Sequence, residues 1–161
     1  MNTPLSIYTF GVSKIRTSLS KDNNVFWIAF FDELPVGYAK LKWFSKSDFI
    51  DSDSISQLQK IYVLKDFLAK KIGHQLQTEM FEEVTQLGNK FVWLSVLKSN
   101  ERAISFYNKN GFTAIGEHSF QIGQEHFNFM AMKKEFLKPV KRQLPICGNS
   151  PLSILGYFEP F

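Results

Sequence analysis

The sequence predicts an α/β fold in a single domain, with a sheet that is largely antiparallel at its ends. The chain of 161 residues has the length of one domain. Short apolar runs of strand length alternate with two segments whose apolar residues recur at helical spacing. In chain order these elements read ββ-β-α-β-α-ββ, which mixes helices with paired strands at both ends.

Composition and charge exclude several other classes of protein. Hydrophobic residues make up 44% and charged residues 21%, whereas a disordered chain has low hydrophobicity and high net charge. Cys147 is the only cysteine, which excludes a disulfide scaffold and, without a signal-like start, indicates a cytoplasmic protein. No apolar run approaches the roughly 18 residues of a membrane span. The net charge of +4 is too small to indicate nucleic-acid binding.

The first half of the chain predicts three strands. Residues 25–31 (VFWIAFF) and 36–44 (VGYAKLKWF) predict a hairpin with Pro35 at the turn, where a missing N–H is tolerated. Residues 45–54 are rich in Ser and Asp and predict a loop. Residues 57–64 (QLQKIYVL) predict the third strand.

Two helices and three more strands follow. The first helix has apolar residues four, four, four and three positions apart, and Gly88 is its left-handed stop. This stripe consists of Ile72, Leu76, Met80, Val84 and Leu87. Residues 91–97 (FVWLSVL) predict an apolar strand, and a second helix begins after Asn100, a preferred N-cap. Residues 112–122 and 127–136 predict a last pair of strands.

The two ends are predicted separately from the domain of residues 1–136. A strand at 5–10 and a short helix fit before the first hairpin. Residues 137–161 form a C-terminal extension, which its four prolines prevent from being one long helix. A strand is predicted at residues 152–158, and we expect it to cover apolar surface of the domain or of a second copy.

The sharpest signal for function is the segment NERAISFYNKNGF at residues 100–112. It places six residues at fixed spacing between two predicted strands: Asn100, Ala103, Phe106, Tyr107, Gly111 and Phe112. Each residue taken alone fits a capped amphipathic helix whose aromatic side chains only pack in the core. The six together are much less common by chance, so the segment is a candidate site.

With this motif the sequence resembles the GNAT superfamily of N-acetyltransferases, over residues 25–135. The stretches LQKIYVLKDF, VWLSVLKSNERAISFY and GEHSFQIGQEHFNFMAMKK are similar to its bacterial PaiA-like spermidine/spermine branch. The resemblance implies the GNAT fold, a mixed and mostly antiparallel sheet flanked by helices, whose splayed central strands hold acetyl-CoA. It also implies a shortened N-terminal unit, because only 24 residues precede the first hairpin.

The resemblance assigns roles to two residues of the motif. Tyr107 corresponds to the general acid that protonates the coenzyme A thiolate as it leaves. Asn100 corresponds to a residue that hydrogen-bonds the cofactor. A phenol suits the acid role because its reference pKa of about 10 is near that of a thiol.

Residues 68–75 (LAKKIGHQ) open the first helix, where free N–H groups and the helix dipole favour an anion. The resemblance implies that the pyrophosphate of acetyl-CoA binds here, at an Arg/Gln-x-x-Gly-x-Gly/Ala motif. The implied cofactor-binding residues are Lys70, Lys71, Ile72, Gly73, His74 and Gln75. Leu68 replaces the Arg or Gln and Lys71 replaces the first glycine. The alternative is a solvated basic helix start.

The third strand is the other part of the implied cofactor site. By the resemblance it splays from residues 91–97, and pantetheine pairs with its backbone in the gap. The backbone positions concerned are Ile61, Tyr62 and Val63. A backbone N–H there would polarise the acetyl carbonyl. Related enzymes often have a glutamate on this strand as the base for the amine, but this sequence has Gln57 and Gln59, which cannot act as bases.

Other polar residues give weaker signals. The loop before the third strand has three candidates for holding a cationic amine, with a solvated loop as the alternative: Asp48, Asp51 and Asp53. The histidines lack metal-ligand spacing, so no metal is predicted: His74, His118 and His126. Cys147 is not predicted as a nucleophile, because the family transfers the acetyl group directly.

The predicted function is transfer of acetyl from acetyl-CoA to a primary amine, by direct attack of the amine on the thioester. The resemblance makes a polyamine the first acceptor to consider, and another small or protein amine is the alternative. A degenerate coenzyme A sensor is a second alternative, because the phosphate motif and the usual glutamate are altered. Neither nucleic acid nor membrane is a predicted partner, and a homodimer is an open expectation because many relatives form dimers.

Overall fold

The structure is a computed structural model that describes residues 12–136 and 152–157. The strand predicted at 5–10, Cys147 and Phe158 lie outside the described residues. Its helices are α1 (Val12–Leu19), α2 (Ile72–Gln86) and α3 (Glu101–Lys109), with a 3₁₀ helix at Lys65–Lys70. Its strands are β1 (Asn24–Phe31), β2 (Leu34–Lys42), β3 (Ile55–Val63), β4 (Phe91–Leu97), β5 (Thr113–Ile122), β6 (Glu125–Glu135) and β7 (Leu152–Tyr157).

The strands form one sheet in the order β5-β6-β4-β3-β2-β1-β7. Every neighbouring pair is antiparallel except β3 and β4, which are parallel. The predicted order of elements and the mostly antiparallel sheet are therefore confirmed. Over the described ranges, no helix is both long and apolar enough to cross a bilayer.

The core lies between the sheet and α2. Four residues of the predicted stripe, from Ile72 to Val84, are fully buried on α2 and pack with alternate residues of β1 and β4. On β1 these are Val25, Trp27 and Ala29, and on β4 they are Val92, Leu94 and Val96. The intervening residues of both strands must therefore point to the opposite face of the sheet, where α1 contacts β1. Placing Leu87 on this stripe was wrong, because Leu87 is the C-cap of the helix and is exposed.

The first hairpin turns two residues earlier than the sequence predicted. Asp32 and Glu33 form the turn with φ of 47° and 65°, and Pro35 lies inside β2, opposite Phe30. A two-residue hairpin turn of this kind needs positive φ at both central positions, which a proline ring does not allow. Placing Pro35 at the turn was therefore wrong. Pro35 has no backbone N–H, and it lies where the β1–β2 register shifts between Ala29 and Phe30.

The C-terminal extension contributes a strand to the same sheet. β7 pairs antiparallel with β1, from Phe26 opposite Tyr157 to Phe31 opposite Leu152. This confirms that part of the extension packs on the domain. It also covers the outer edge of β1, whose N–H and C=O groups would otherwise be unpaired. The division of the chain at residue 136 stays a prediction.

Candidate active site

The candidate site is a gap between β3 and β4. These strands pair only where Ile55–Gln57 lies beside Phe91–Trp93. Beyond that point β3 continues to Val63 along β2, and β4 continues to Leu97 along β6. The two parallel strands therefore separate, and the predicted splay is present.

The start of α2 presents backbone donors. Lys71 has a φ of 59°, the left-handed region that glycine occupies most easily. The first backbone hydrogen bond of the helix runs from the Gln75 N–H to the Lys71 carbonyl at 3.1 Å. The N–H groups of Ile72, Gly73 and His74 precede it, as the unpaired donors of a helix start do. Their positive dipole end suits a phosphate.

The side chains at this helix start have separate roles. Ile72 is fully buried in the core, so only its backbone could contact a ligand. The Lys70 ammonium lies 4.5 Å from the centre of the Phe31 ring. His74 Nδ1 is 2.9 Å from Asn110 Oδ1, which ties the start of α2 to the end of α3.

Gly73 brings three predicted segments together. A methyl group at its Cα would lie 3.5 Å from the Phe106 ring and 3.8 Å from a Val63 methyl. The end of β3, the start of α2 and the motif helix α3 therefore meet around this glycine. Both distances are ordinary van der Waals contacts, so the position would admit an alanine.

Tyr107 is buried between two aromatic neighbours. Its ring makes edge contacts with Phe106 and Phe112, each with centroids 5.5 Å apart. Burial raises the pKa of the Tyr107 phenol to about 12. Within residues 12–136, no hydrogen bond engages its hydroxyl. The group is protonated at neutral pH, and it is a weaker acid than the reference value assumed from the sequence.

Asn100 is the predicted helix cap. Its Oδ1 accepts a hydrogen bond from the Ala103 N–H at 3.1 Å, which satisfies one of the free donors of α3. The residue is exposed. The cap uses only the Oδ1 atom of its side-chain amide, so the NH₂ group of the same amide is a further donor. A contact with cofactor would therefore add to a structural role that Asn100 already has.

The end of β3 places two side chains inward and one outward. Ile61 and Val63 pack against the core, while Tyr62 is 51% exposed and its ring lies 6.0 Å from Tyr38. Among the described strands, β4 pairs with β3 at none of these three positions. Their backbone edge is therefore open to the gap, as the pantetheine role requires.

The two glutamines on β3 are held by neutral hydrogen bonds. Gln57 Oε1 accepts from Ser45 Oγ at 3.1 Å and from Gln59 Nε2 at 3.0 Å. Neither side chain can take a proton from an amine. Gln57 and Gln59 therefore supply no base for the amine.

A Ser–His pair lies on the far side of the same gap. Ser95 Oγ is 2.8 Å from His118 Nε2. The His118 ring is stacked on Phe129 with a centroid distance of 5.4 Å and lies 6.2 Å from Phe49. Ser95 is two residues past the last β3–β4 pair, and alternation along β4 turns it away from the α2 core.

Sequence reasoning missed this pair. Ser95 and His118 are 23 residues apart, and β6 separates their strands in the sheet. The small side chain of Ala131 lies between them, opposite Ser95 in the register, and leaves room for the imidazole. The sequence signal was only a serine at an outward position of an apolar strand and a histidine on a predicted hairpin.

The acidic loop before β3 is solvated. Asp53 pairs with Lys46 at 3.0 Å, and both side chains are more than 80% exposed. Asp48 and Asp51 are also exposed. The loop itself is anchored, because Trp93 Nε1 donates to the Ser45 carbonyl at 2.7 Å. None of the three aspartates is brought to the gap by a contact in the described structure.

The fold and the gap define the class of protein, and comparison with known families agrees. A model of the acetyltransferase (GNAT) family matches residues 4–112, more than half of the chain. The chain therefore belongs to the GNAT family, whose members are acetyl-CoA-dependent acyltransferases that act on amines. The predictions of family, fold and enzyme class are confirmed.

Relatives and solved structures support the same family. The chain is 26% identical over 127 residues to an uncharacterized N-acetyltransferase in the pepI 3′ region of Lactobacillus delbrueckii subsp. lactis, covering 78% of this chain and 73% of that protein. It is 31% identical over 102 residues to an uncharacterized N-acetyltransferase of Mycobacterium tuberculosis, covering 63% of this chain and 61% of the relative.

Among solved structures, the fold is similar to the PaiA N-acetyltransferase of Thermoplasma acidophilum in complex with coenzyme A. The TM-score is 0.63 with 23% identity, covering 81% of this chain and 74% of that one. It is also similar to Arabidopsis thaliana NAA60 in complex with a bisubstrate analogue, with a TM-score of 0.68 and 17% identity. That match covers 78% of this chain and 83% of that one. At this identity the likeness establishes the fold.

Proposed function

We propose that the protein transfers acetyl from acetyl-CoA directly to a primary amine of a small molecule, within the gap between β3 and β4. The separation of β3 from β4 beside the start of α2 carries this proposal. Pantetheine would lie along the open edge of β3 at Ile61–Val63. The pyrophosphate would accept hydrogen bonds from the backbone N–H groups of Gly73 and its neighbours. The other residues proposed to lie around the cofactor are Lys70, Lys71, His74, Gln75 and Asn100.

Tyr107 is the proposed general acid. Its proton goes to the coenzyme A sulfur as the C–S bond breaks. With a pKa of about 12, the phenol keeps this proton over the whole working range of pH. It is too weak an acid to protonate the thioester sulfur before the bond breaks, so transfer has to coincide with the thiolate charge that develops as the C–S bond breaks.

His118 is the proposed base, acting through Ser95. The amine nitrogen attacks the acetyl carbon and loses a proton to Ser95 Oγ, while the Ser95 hydroxyl proton passes to His118 Nε2. This requires the imidazole tautomer in which Nδ1 carries the hydrogen. Solvent then removes the proton from His118 and restores the one that Tyr107 gave to sulfur. Acid and base act from opposite faces of the sheet.

Two acceptor classes remain in the proposal. A polyamine follows from the resemblance to the PaiA-like branch, and the acidic loop is its candidate contact. Another small amine is favoured by a specific observation, because the described residues that line the surface beside Tyr62 include Lys40 and Lys60 and no carboxylate. Spermidine and amino acids should both be tested for this reason.

The test is release of the coenzyme A thiol from acetyl-CoA in the presence of an amine panel. Acetyl transfer predicts amine-dependent thiol release and an acetylated product of matching amount by mass spectrometry. If the protein binds acetyl-CoA tightly and no amine gives turnover, the sensor alternative replaces this proposal.

A further inference from the structure

The loop between β2 and β3 holds an aromatic side chain against the face of the sheet opposite α2. Residues 47–50 of this loop form a tight turn, in which the Ile50 N–H donates to the Ser47 carbonyl at 3.3 Å. Phe49 lies in the turn, and its N–H donates to Ser47 Oγ at 3.3 Å. The Phe49 ring therefore extends from a backbone that is fixed locally. The functional roles proposed for the site do not include this ring.

Gly116 of β5 provides the space for the ring. A methyl group at the Gly116 Cα would overlap the Phe49 ring, so a larger residue would have to displace it. Gly116 is opposite Ala131 of β6, so two small residues on adjacent strands lie beneath the ring. The backbone itself does not require glycine here, because the φ of Gly116 is outside the left-handed region. The close approach of Phe49 therefore explains this glycine.

His118 lies between Phe49 and a second ring. It follows Gly116 by two residues on the same face of β5, and its imidazole centre is 6.2 Å from the centre of the Phe49 ring. Phe129 is directly opposite His118 on β6 and stacks with the imidazole at 5.4 Å and 10°. One ring thus restricts the imidazole along the strand and the other restricts it across the sheet. The Nε2 atom of this imidazole is the one that lies 2.8 Å from Ser95 Oγ.

We propose that Phe49 is a positioning residue, which holds the His118 imidazole with Nε2 directed at Ser95 Oγ. His118 is exposed, so without the Phe49 ring its side chain is free to rotate toward water and lose this hydrogen bond. Loss of the bond interrupts the proton route from the amine through Ser95. This functional consequence rests on the proposed acetyl transfer, in which His118 is the base.

Nitrogen NMR of the histidine side chains tests the positioning without turnover or cofactor. At mildly alkaline pH, where imidazole is neutral, wild-type His118 should show one tautomer, with its hydrogen on Nδ1 and an acceptor at Nε2. Exposed His126 should show the tautomer mixture of a free imidazole in the same spectrum. In Phe49→Ala the His118 signals should move to the His126 pattern. A tautomer mixture at wild-type His118, or an unchanged tautomer in Phe49→Ala, would overturn the proposal.

A second variant displaces the Phe49 ring without altering it chemically. Gly116→Ala should shift the His118 signals as Phe49→Ala does, and the double variant should show no further shift, because its new methyl group meets no ring. Phe49→Tyr keeps the ring and should retain the wild-type tautomer. Phe44→Ala is the matched control, since Phe44 is 62% exposed, and it should leave His118 unchanged. Melting temperatures establish that each variant is folded. Wild-type signals in Gly116→Ala would overturn the proposal as well.

Kinetics then separate positioning from a role in stability alone. Phe49→Ala should lower kcat by up to about 10²-fold with the Kd for acetyl-CoA unchanged, as displacement of a catalytic group by about 1 Å can do. In the His118→Ala background it should cause no further loss, because no imidazole is left to position. An equal loss in both backgrounds would overturn the proposal. Turnover with unchanged NMR signals contradicts only the role of Phe49, whereas shifted signals without turnover of any amine contradict only the acetyl transfer.

Discussion

The two faces of the sheet contribute candidate functional residues to the gap between β3 and β4 in different ways. On the face covered by α2, the candidates come from two short segments, 70–75 and 100–107, which come together where Gly73 lies beside Phe106. On the opposite face Ser95 and His118 come from two strands and meet only in the folded sheet. The proposed donor side is therefore local in sequence and the proposed acceptor side is assembled from distant residues. Substitutions should separate the two sides kinetically.

The largest expected effect is that of Tyr107→Phe, on the donor side. We expect kcat to fall by about 10²–10⁴-fold, the range for general acid catalysis, with the Kd for acetyl-CoA unchanged. The fold should survive, because the described residues 12–136 provide no hydrogen bond to the lost hydroxyl. Since burial raises the pKa of Tyr107 to about 12, the wild type should lose no activity through Tyr107 ionisation below about pH 11. Equal kcat in the variant and wild type would remove Tyr107 from the mechanism.

On the acceptor side, His118→Ala should lower kcat by about 10²-fold without changing acetyl-CoA affinity. Added imidazole should restore part of the rate of His118→Ala and none of the rate of Tyr107→Phe. Ser95→Ala should show a similar loss, because the proton route is interrupted. His126→Ala, at an exposed histidine of β6, is the matched control and should behave as the wild type. A His118→Ala enzyme with full activity would exclude this base.

Gly73→Pro should weaken acetyl-CoA binding about tenfold or more, because it removes one N–H donor and places a ring where a phosphate approaches. Proline is tolerated in the first turn of a helix, so the variant should fold. Gly73→Ala is the control, since its methyl group meets Phe106 only at 3.5 Å. Calorimetry that gives one affinity for wild type, alanine and proline variants would refute the placement of the phosphates.

The smallest effect concerns the cap of α3. Asn100→Ala removes the acceptor for the Ala103 N–H and should lower the free energy of unfolding by about 0.5–2 kcal/mol. Asn108→Ala, at an exposed position of the same helix, should be nearly neutral. Urea denaturation of both variants measures the difference. If the free energy of acetyl-CoA binding falls by more than the free energy of unfolding does, Asn100 also contacts the cofactor.

The donor side could be predicted because its residues obey local rules. Helical spacing, an N-cap and a glycine stop place Tyr107, Asn100 and Gly88, and the structure has each where the spacing put it. The hairpin was predicted but its turn was misplaced at Pro35, because Asp32 and Glu33 both adopt a left-handed conformation, which is uncommon for glutamate. The Ser95–His118 pair depends on strand register across the sheet, which no local pattern specifies.

A crystal structure with acetyl-CoA tests the central claim most directly. The gap between β3 and β4 should hold the pantetheine, with the pyrophosphate at the N–H groups of residues 72–74. The sulfur should lie within hydrogen-bonding reach of the Tyr107 hydroxyl, on the order of 3–3.5 Å. The acetyl group should point toward the face that carries Ser95 and His118. A cofactor bound outside this gap, or a sulfur beyond reach of Tyr107, would contradict the proposed site.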